Sequence, residues 1–521
     1  MAQPLQTFSI TAPGFYGLNT QDSSLDLASG FALVANNCVI DQYGRIGARK
    51  GWVPQNSYNA ALGTSPVRSL EEHVGDDGST YVMCAGNNKV FRLVSGALTE
   101  ITYDTTLGTQ PVITGDNWSI CHLGGAAFAF QIGHDPLVFD SALSTTKYRR
   151  VSELPNSVGT VQKANFAMAA FGRIWNVDTT TDKSLIQWSD LNAPQKWNAG
   201  SAGTLDTTNV WPNGNDTVVG MAAHNNYLFI FGRNNILIYN NANIVITGSS
   251  SLTAMTLEDT ITGIGCIARD SIQYTGSDVI FLSNTGVRSV MRTIQEKSAP
   301  FRDLSKNVRT DLMNAVAGED LTTIKSVYNP FDSFYLLTLP ILKTVYCFDM
   351  RSPLQDGAAK VTTWDGMEPS SLCMLRNNTM LIGKAGYVGK YTGYLDNGSS
   401  YRMQYFTNHT DLGAPSVSSI LKKLSVVVIG GSDQYVTIKW GYDFTGNYSA
   451  QNVQIPSQGV AYFGVSEYNI ASYSPGTSLQ TLVAYPTGSG KVIQTGYESD
   501  ITGGALSIQK LEILAKNGKI I

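Results

Sequence analysis

Short runs in which apolar and polar residues alternate, separated by turns rich in Asn and Gly, recur down most of this chain. Residues 79–94 carry Gly86, Asn87 and Asn88 between two such runs, residues 221–239 turn across positions 232–235, and residues 278–290 turn at Asn284, Thr285 and Gly286. Period-two alternation puts one face of a strand in a core, and Asn or Gly at the turn supplies the positive φ that a tight hairpin needs. Each of the three reads as a β-hairpin.

The hairpins group into units of roughly 40–50 residues with several short strands each, and such a unit cannot cover its own faces until neighbours stack beside it. The pattern predicts a β-propeller of six or seven blades, beginning near Val67, Trp118, Gln162, Val218, Ser271, Ile324 and Leu372. In the second unit, Gly124, Gly125, Gly133, Asp135 and Pro136 break the runs, as an up-and-down blade requires. In the third, Trp175, Trp188 and Trp197 are expected to fill space between blades.

Beyond Asp396 the runs lengthen. Residues 435–444 alternate strictly, with Val436, Ile438, Trp440, Tyr442 and Phe444 on one face, and residues 424–429, 461–465, 481–485 and 507–514 supply further strands. This region reads as an antiparallel sandwich. The first 55 residues fit neither unit: a helix-compatible segment at 25–37 precedes a hairpin at 38–50 that turns at Gln42, Tyr43 and Gly44. Such an arm would pair with the sandwich or with a neighbouring subunit. The expected fold is therefore all-β, a β-propeller with an added antiparallel β-sandwich platform, divided as an arm over 1–60, a propeller over 61–395 and the platform over 396–521.

A chain of 521 residues, 43% hydrophobic and 15% charged, can bury a large core. A formal net charge of −4 gives no basic footprint for tight nucleic-acid binding. Neither a signal peptide nor a membrane span is expected, because residues 1–10 lack a basic region followed by an apolar run and no stretch reaches about 18 uninterrupted apolar residues. Cys38, Cys84, Cys121, Cys266, Cys347 and Cys373 are widely separated and read as buried reduced thiols.

The search for reactive chemistry returns turns and strands. Residues 487–491 look like a phosphate loop, but Tyr485 and Val492 stand where the motif needs Gly and Ser or Thr. His73, His122, His134, His224 and His409 show no metal-ligand spacing, and His134–Asp135 reads as a turn. Glu71, Glu72, Asp76 and Asp77 form the densest acidic cluster and read as an exposed hairpin turn, while Lys422 and Lys423 read as charges guarding a sheet edge. No catalytic, cofactor or metal residue is assigned.

Gly17, Leu18, Asn19 and Thr20, then Asn36, Asn37 and Cys38, then Gly44, Arg45, Arg49, Lys50, Gly51 and Trp52 resemble the opening of the tail nozzle proteins of short-tailed bacteriophages, also called tail tubular protein B. Phe171 to Trp175 leading to Trp188, Ser189, Asp190 and Leu191 is similar to the same family, as are Phe281, Leu282, Ser283 and Gly286 and the stretch from Thr410 to Pro415 ahead of Lys422 and Lys423. The chain is shorter than the larger nozzles, so a fibre-docking tip is expected to be absent or minimal.

The resemblance implies a non-enzymatic virion component: a homohexamer of propeller and platform, seated below the adaptor ring (head-to-tail connector), assembled in the host cytoplasm and carried in the virion tail. Such a tube retains the genome, conducts double-stranded DNA without tight binding during ejection, and meets tail fibres as its remaining partner. A mildly acidic chain suits a conduit that must not hold its cargo. The apolar hairpin around Pro340, Ile341 and Leu342 is the expected lumen gate. The alternative from another class is a propeller carbohydrate-binding protein or glycosidase, since propellers host such sites and glycoside hydrolysis needs only two carboxylates. A third is a terminal plug that stabilises packaged DNA without forming an open tube.

Overall fold

The computed structural model describes residues 5–76, 78–115, 117–179, 181–240, 255–290, 303–412, 416–431, 433–456 and 479–520, with side chains as far as 516. Seven small antiparallel units follow one another through its middle, the first two joined by parallel pairing of Ala97–Tyr103 with Lys147–Arg150 and the sixth continuous with a larger sheet. Their first strands are Ser69–Val74, Ser119–Leu123, Phe166–Ala170, Val218–His224, Gln273–Tyr274, Lys325–Asn329 and Ser371–Met374. Neighbouring first strands pack side by side, the Ala223 amide donates to the Tyr274 hydroxyl at 3.0 Å between the fourth and fifth sheets, and Ser371–Met374 meets Ser69–Val74. The circle is closed, and the described residues form a seven-bladed propeller.

The local reason is visible at the turns. Asn87 and Asn88 have φ of 52° and 55°, and Asn225 and Asn226 have φ of 48° and 65°, the paired left-handed conformations that a two-residue hairpin demands. Each blade buries both faces against its neighbours. Trp175, Trp188, Leu228 and Ile230 fill the space between the third and fourth blades, and Trp197 packs with Phe128 and Ile174 between the second and third. Each large apolar side chain removed from water there contributes about 1.5–3 kcal/mol.

The last blade is completed from far away in sequence. Met380–Lys384 and Tyr387–Tyr391 pair with each other, and Trp52–Pro54 of the amino-terminal region adds the outer strand, with Trp52 opposite Tyr391. Residues 52–54, expected in the arm, thus belong to the propeller circle. Gly51, just before this strand, lies so close to the chain at Leu395 that a Cβ there would meet the Leu395 carbonyl oxygen at 2.0 Å.

Two sheets form the platform. One contains Leu5–Thr11, Cys38–Ile40, Ile46–Ala48, Val417–Gly430, Leu479–Ala484 and Leu506–Ile520. The other contains Gly17–Leu18, Phe31–Asn36, Tyr401–Thr407, Ile493–Ile501, Tyr435–Tyr442 and Tyr448–Gln454, and it runs without a break into the sixth blade, where Lys360–Trp364 pairs in parallel with Gly17 and Asn36. Leu424, Val426, Val428 and Ile513 pack in one core with Tyr405, Val436, Ile438 and Tyr497. The propeller and platform are therefore hydrogen-bonded into one another.

Two expectations are corrected, and one helix adds to them. The helix-compatible segment at 25–37 contains a strand, Phe31–Asn36, because Gly30 (φ 113°) breaks the run and the apolar residues that follow pair with Tyr401–Thr407. A helix does form at Arg309–Ala317, where it buries Leu312 and Val316. Lys422 and Lys423 do not lie on an outer strand, because Val417–Gly430 runs between Leu506–Ile520 on one side and Ser489–Gly490 and Leu479–Ala484 on the other; on that second side the pairing stops at Ile420 and resumes at Leu424, so the two lysines stand beside a gap, and a bulge falls between Leu421 and Lys423. The strand expected at 461–465 lies outside the described residues.

Candidate functional site

The propeller axis encloses a cavity of about 350 Å³ to which all seven blades contribute. Arg68 and Glu71 come from the first blade, Trp118 and Ser119 from the second, Met168 and Met221 from the third and fourth, Arg269, Asp270 and Gln273 from the approach to the fifth, Lys325 from the sixth and Leu372 from the seventh. A second hollow lined by Glu71, Tyr274, Tyr328 and Met374 continues toward the opposite face.

Charge concentrates at one mouth. The short turn Arg269–Ser271 aims both oxygens of Asp270 at the Arg269 guanidinium, with Nε to Oδ1 and Nη2 to Oδ2 each at 2.7 Å, and Lys325 Nζ donates to the same Oδ2. Arg269 also donates to Asn117 Oδ1 at 2.7 Å and to the Asn165 carbonyl, which ties three blades together. Burial alone would raise the Asp270 pKa; the Arg269 and Lys325 cations outweigh it and hold the carboxyl well below the usual range. Burial lowers the Lys325 pKa, with Asp270 opposing and Arg269 and Arg68 adding to the fall. Arg68 makes no side-chain hydrogen bond or ion pair with the described residues.

Glu71 is half-buried on the channel wall, and burial, followed by the neighbouring Glu72 charge, raises its pKa to about 7. This corrects the reading of the acidic cluster as an exposed turn. Glu71 and Glu72 sit on the innermost strand Ser69–Val74, and Glu72 Oε2 accepts from the Arg376 amide at 2.7 Å across the junction with the last blade. Only Asp76 lies in the turn, with its carboxylate against Gly125; Asp77 is outside the described residues.

Two histidines that showed no spacing in sequence meet in space. His73 Nδ1 and His122 Nδ1 lie 3.2 Å apart on the first strands of adjacent blades, with Tyr81 and Phe139 against His73. Burial first, then the His73 and Arg376 charges, lowers the His122 pKa to about 3. The only sequence signal was their similar position within successive inner strands. Among the described residues no three His, Cys, Asp or Glu side chains gather as a metal site. All six cysteines are free and buried.

Pro340, Ile341 and Leu342 form the turn between Phe334–Leu339 and Thr344–Asp349 of the sixth blade. Ile341 is 63% and Leu342 52% exposed. The Glu319 carboxylate, just past the helix Arg309–Ala317, accepts from the Ile341 amide at 2.9 Å and the Leu342 amide at 2.7 Å, so an apolar tip is presented on a fixed backbone.

Asn37, Arg49, Gly51 and Trp52, among the residues that carry the family resemblance, gather at the seam, while Phe171 to Trp175, Trp188 to Leu191 and Phe281 to Gly286 lie in the third and fifth blades. Arg49, fully buried, places Nη1 2.9 Å from Asp396 Oδ1 and Nη2 2.7 Å from Oδ2, donates from Nε to Asn37 Oδ1 at 2.8 Å, and lies 4.0 Å over the Tyr401 ring. Asn37 in turn donates to Asp365 and to the Arg402 carbonyl. Arm, last blades and platform meet in this one network.

No family model and no curated protein matches the chain. Solved structures overlap it in part. The extracellular domain assigned to a one-component system of B. thetaiotaomicron is 11% identical over 88% of this chain and 61% of its own, with a TM-score of 0.41. PorZ, a surface component of the type-IX secretion system of Porphyromonas gingivalis, is 13% identical over 64% of this chain and 37% of its own, with a TM-score of 0.37. The exo-β-1,3-galactanase of Phanerochaete chrysosporium is 9% identical over 79% of this chain and 98% of its own, with a TM-score of 0.25. None of these bears on function.

Proposed function

We propose that this chain is the subunit of a tail nozzle of a short-tailed bacteriophage, a homohexameric tube below the adaptor ring that retains the packaged genome and opens for ejection. The observation that carries the reading is where part of the amino-terminal resembling stretch lies: Asn37, Arg49, Gly51 and Trp52 stand at the junction of arm, propeller and platform. A tube wall under internal load needs its two bodies fixed to each other, and a shared sheet with a buried ion pair supplies that.

In this reading the DNA path lies between subunits. The propeller axis, at about 350 Å³, has room for a small molecule and none for a duplex. Six copies of the Ile341–Leu342 tip facing a common axis would make an apolar constriction that closes the lumen without gripping phosphates. The adaptor ring and tail fibres are its partners, and the virion tail its place. Particles assembled without the chain test this: they are expected to fill with DNA and then lose it, whereas particles that keep their genome and infect normally would refute it.

One feature favours a sugar-directed propeller instead. Glu71, with its raised pKa, shares the channel with an ionised Asp270, and carboxylates driven apart in this way serve glycoside hydrolysis. Binding or cleavage of oligosaccharides by a monomer, abolished by Glu71→Gln, would move the assignment there.

A further inference from the structure

The mouth of the propeller axis holds more positive charge than the protein neutralises. Arg68, Arg269 and Lys325 face a channel whose acidic groups are Asp270 and Glu71. Asp270 is committed to Arg269 and Lys325, and Arg269 spends its remaining donors on Asn117, Asn165 and Trp118. What is left over lines the cavity: Arg68 and the Lys325 N–H groups not used by Asp270. Arg68 and Lys325 line the same cavity, and the Arg68 charge disfavours the Lys325 ammonium, a repulsion that a bound anion would relieve.

We propose that this mouth binds a small oxyanion, a tetrahedral dianion or a sugar-acid carboxylate, clamped between Arg68 and Lys325. Planar guanidinium and ammonium donors are the usual partners of such groups, and the cavity is of ligand size. The anion would bridge the first and sixth blades across the closure of the circle. Glu71 on the same wall sets the pH dependence. As its carboxyl loses its proton through about pH 7, its charge opposes the anion, so binding weakens as pH rises. Besides Arg68, Arg269, Asp270 and Lys325, the walls around Glu71 carry Tyr328, Cys373 and Tyr274, whose hydroxyl accepts from the Ala223 amide; burial raises the pKa of Tyr274 and of Cys373, so both stay neutral over this range.

Calorimetric titration of the full chain with sulfate, which stays dianionic throughout, tests the proposal at pH 6 and pH 8, with glucuronate as a parallel arm. Saturable binding is expected, tighter at the lower pH. Arg68→Met should weaken it by about tenfold or more, and Glu71→Gln should remove the pH dependence and strengthen binding at pH 8. Tighter glucuronate than sulfate would assign the site to carboxylates, and the reverse to tetrahedral anions. Absence of binding by either, or equal binding by Arg68→Met with an unchanged melting temperature, would overturn the proposal. None of these outcomes depends on the nozzle reading.

Discussion

Arg49 and Asp396 form a two-pronged ion pair across 347 residues of sequence, with the guanidinium wholly inside the protein. Its desolvation is offset by Asn37, the Lys50 and Asp365 carbonyls and the Tyr401 ring, so all of its forked donors have partners. Removing one partner strands the other. Arg49→Met is expected to cost about 3–5 kcal/mol in urea unfolding, and Arg49→Met with Asp396→Asn less than the sum of the two singles. An Arg49→Met loss of only a few tenths would mean the seam is held by the shared sheet alone.

Glu319 fixes the hairpin tip through two backbone amides. Glu319→Ala should speed hydrogen exchange at Ile341 and Leu342 and leave the global melting temperature nearly unchanged, because the blade beneath is held by its own ladder. Unchanged exchange would show that the turn is rigid without the carboxylate.

Ile341→Asn with Leu342→Asn alters an exposed tip, so stability should stay within about 0.5 kcal/mol. If this tip closes the lumen, particles carrying the pair should release DNA at lower temperature. Normal retention would remove Pro340, Ile341 and Leu342 from the gate.

His122 supplies a pH response of known sign. Its folded pKa, near 3, is below the ordinary 6.5, so the unfolded chain binds more protons across that interval and stability falls as pH drops from 6.5 toward 3. His122→Leu should flatten this acid limb, by on the order of 2–4 kcal/mol at its foot. Glu71 works in the opposite direction: its raised pKa takes stability away as pH rises from about 4.5 to 7, and Glu71→Gln should stabilise the protein at pH 8 by on the order of 1–2 kcal/mol. Urea midpoints across pH 3–8 check both.

Much of the propeller was legible because strand alternation and Asn turns are local signals. The starts near Val67, Trp118, Val218, Ile324 and Leu372 fall within two residues of the first strands at Ser69, Ser119, Val218, Lys325 and Ser371. The closing strand Trp52–Pro54 was not legible, since three residues carry no period and its partner Tyr387–Tyr391 lies at the other end of the propeller. Residues 25–37 misled because a short apolar run suits helix and strand alike, and pairing with Tyr401–Thr407 decided it. The channel charges carry no local signal: Asp270 and Lys325 are 55 residues apart, and His73 and His122 49 apart, roughly one blade each, so only the packing of blade on blade brings them together.

The central claim is a sixfold tube, and the oligomeric state of the purified chain, alone and with a candidate adaptor ring, tests it most directly. Light scattering and negative-stain imaging should find sixfold rings or adaptor-capped tubes. A stable monomer that ignores the adaptor would contradict the nozzle reading and favour the sugar-directed alternative.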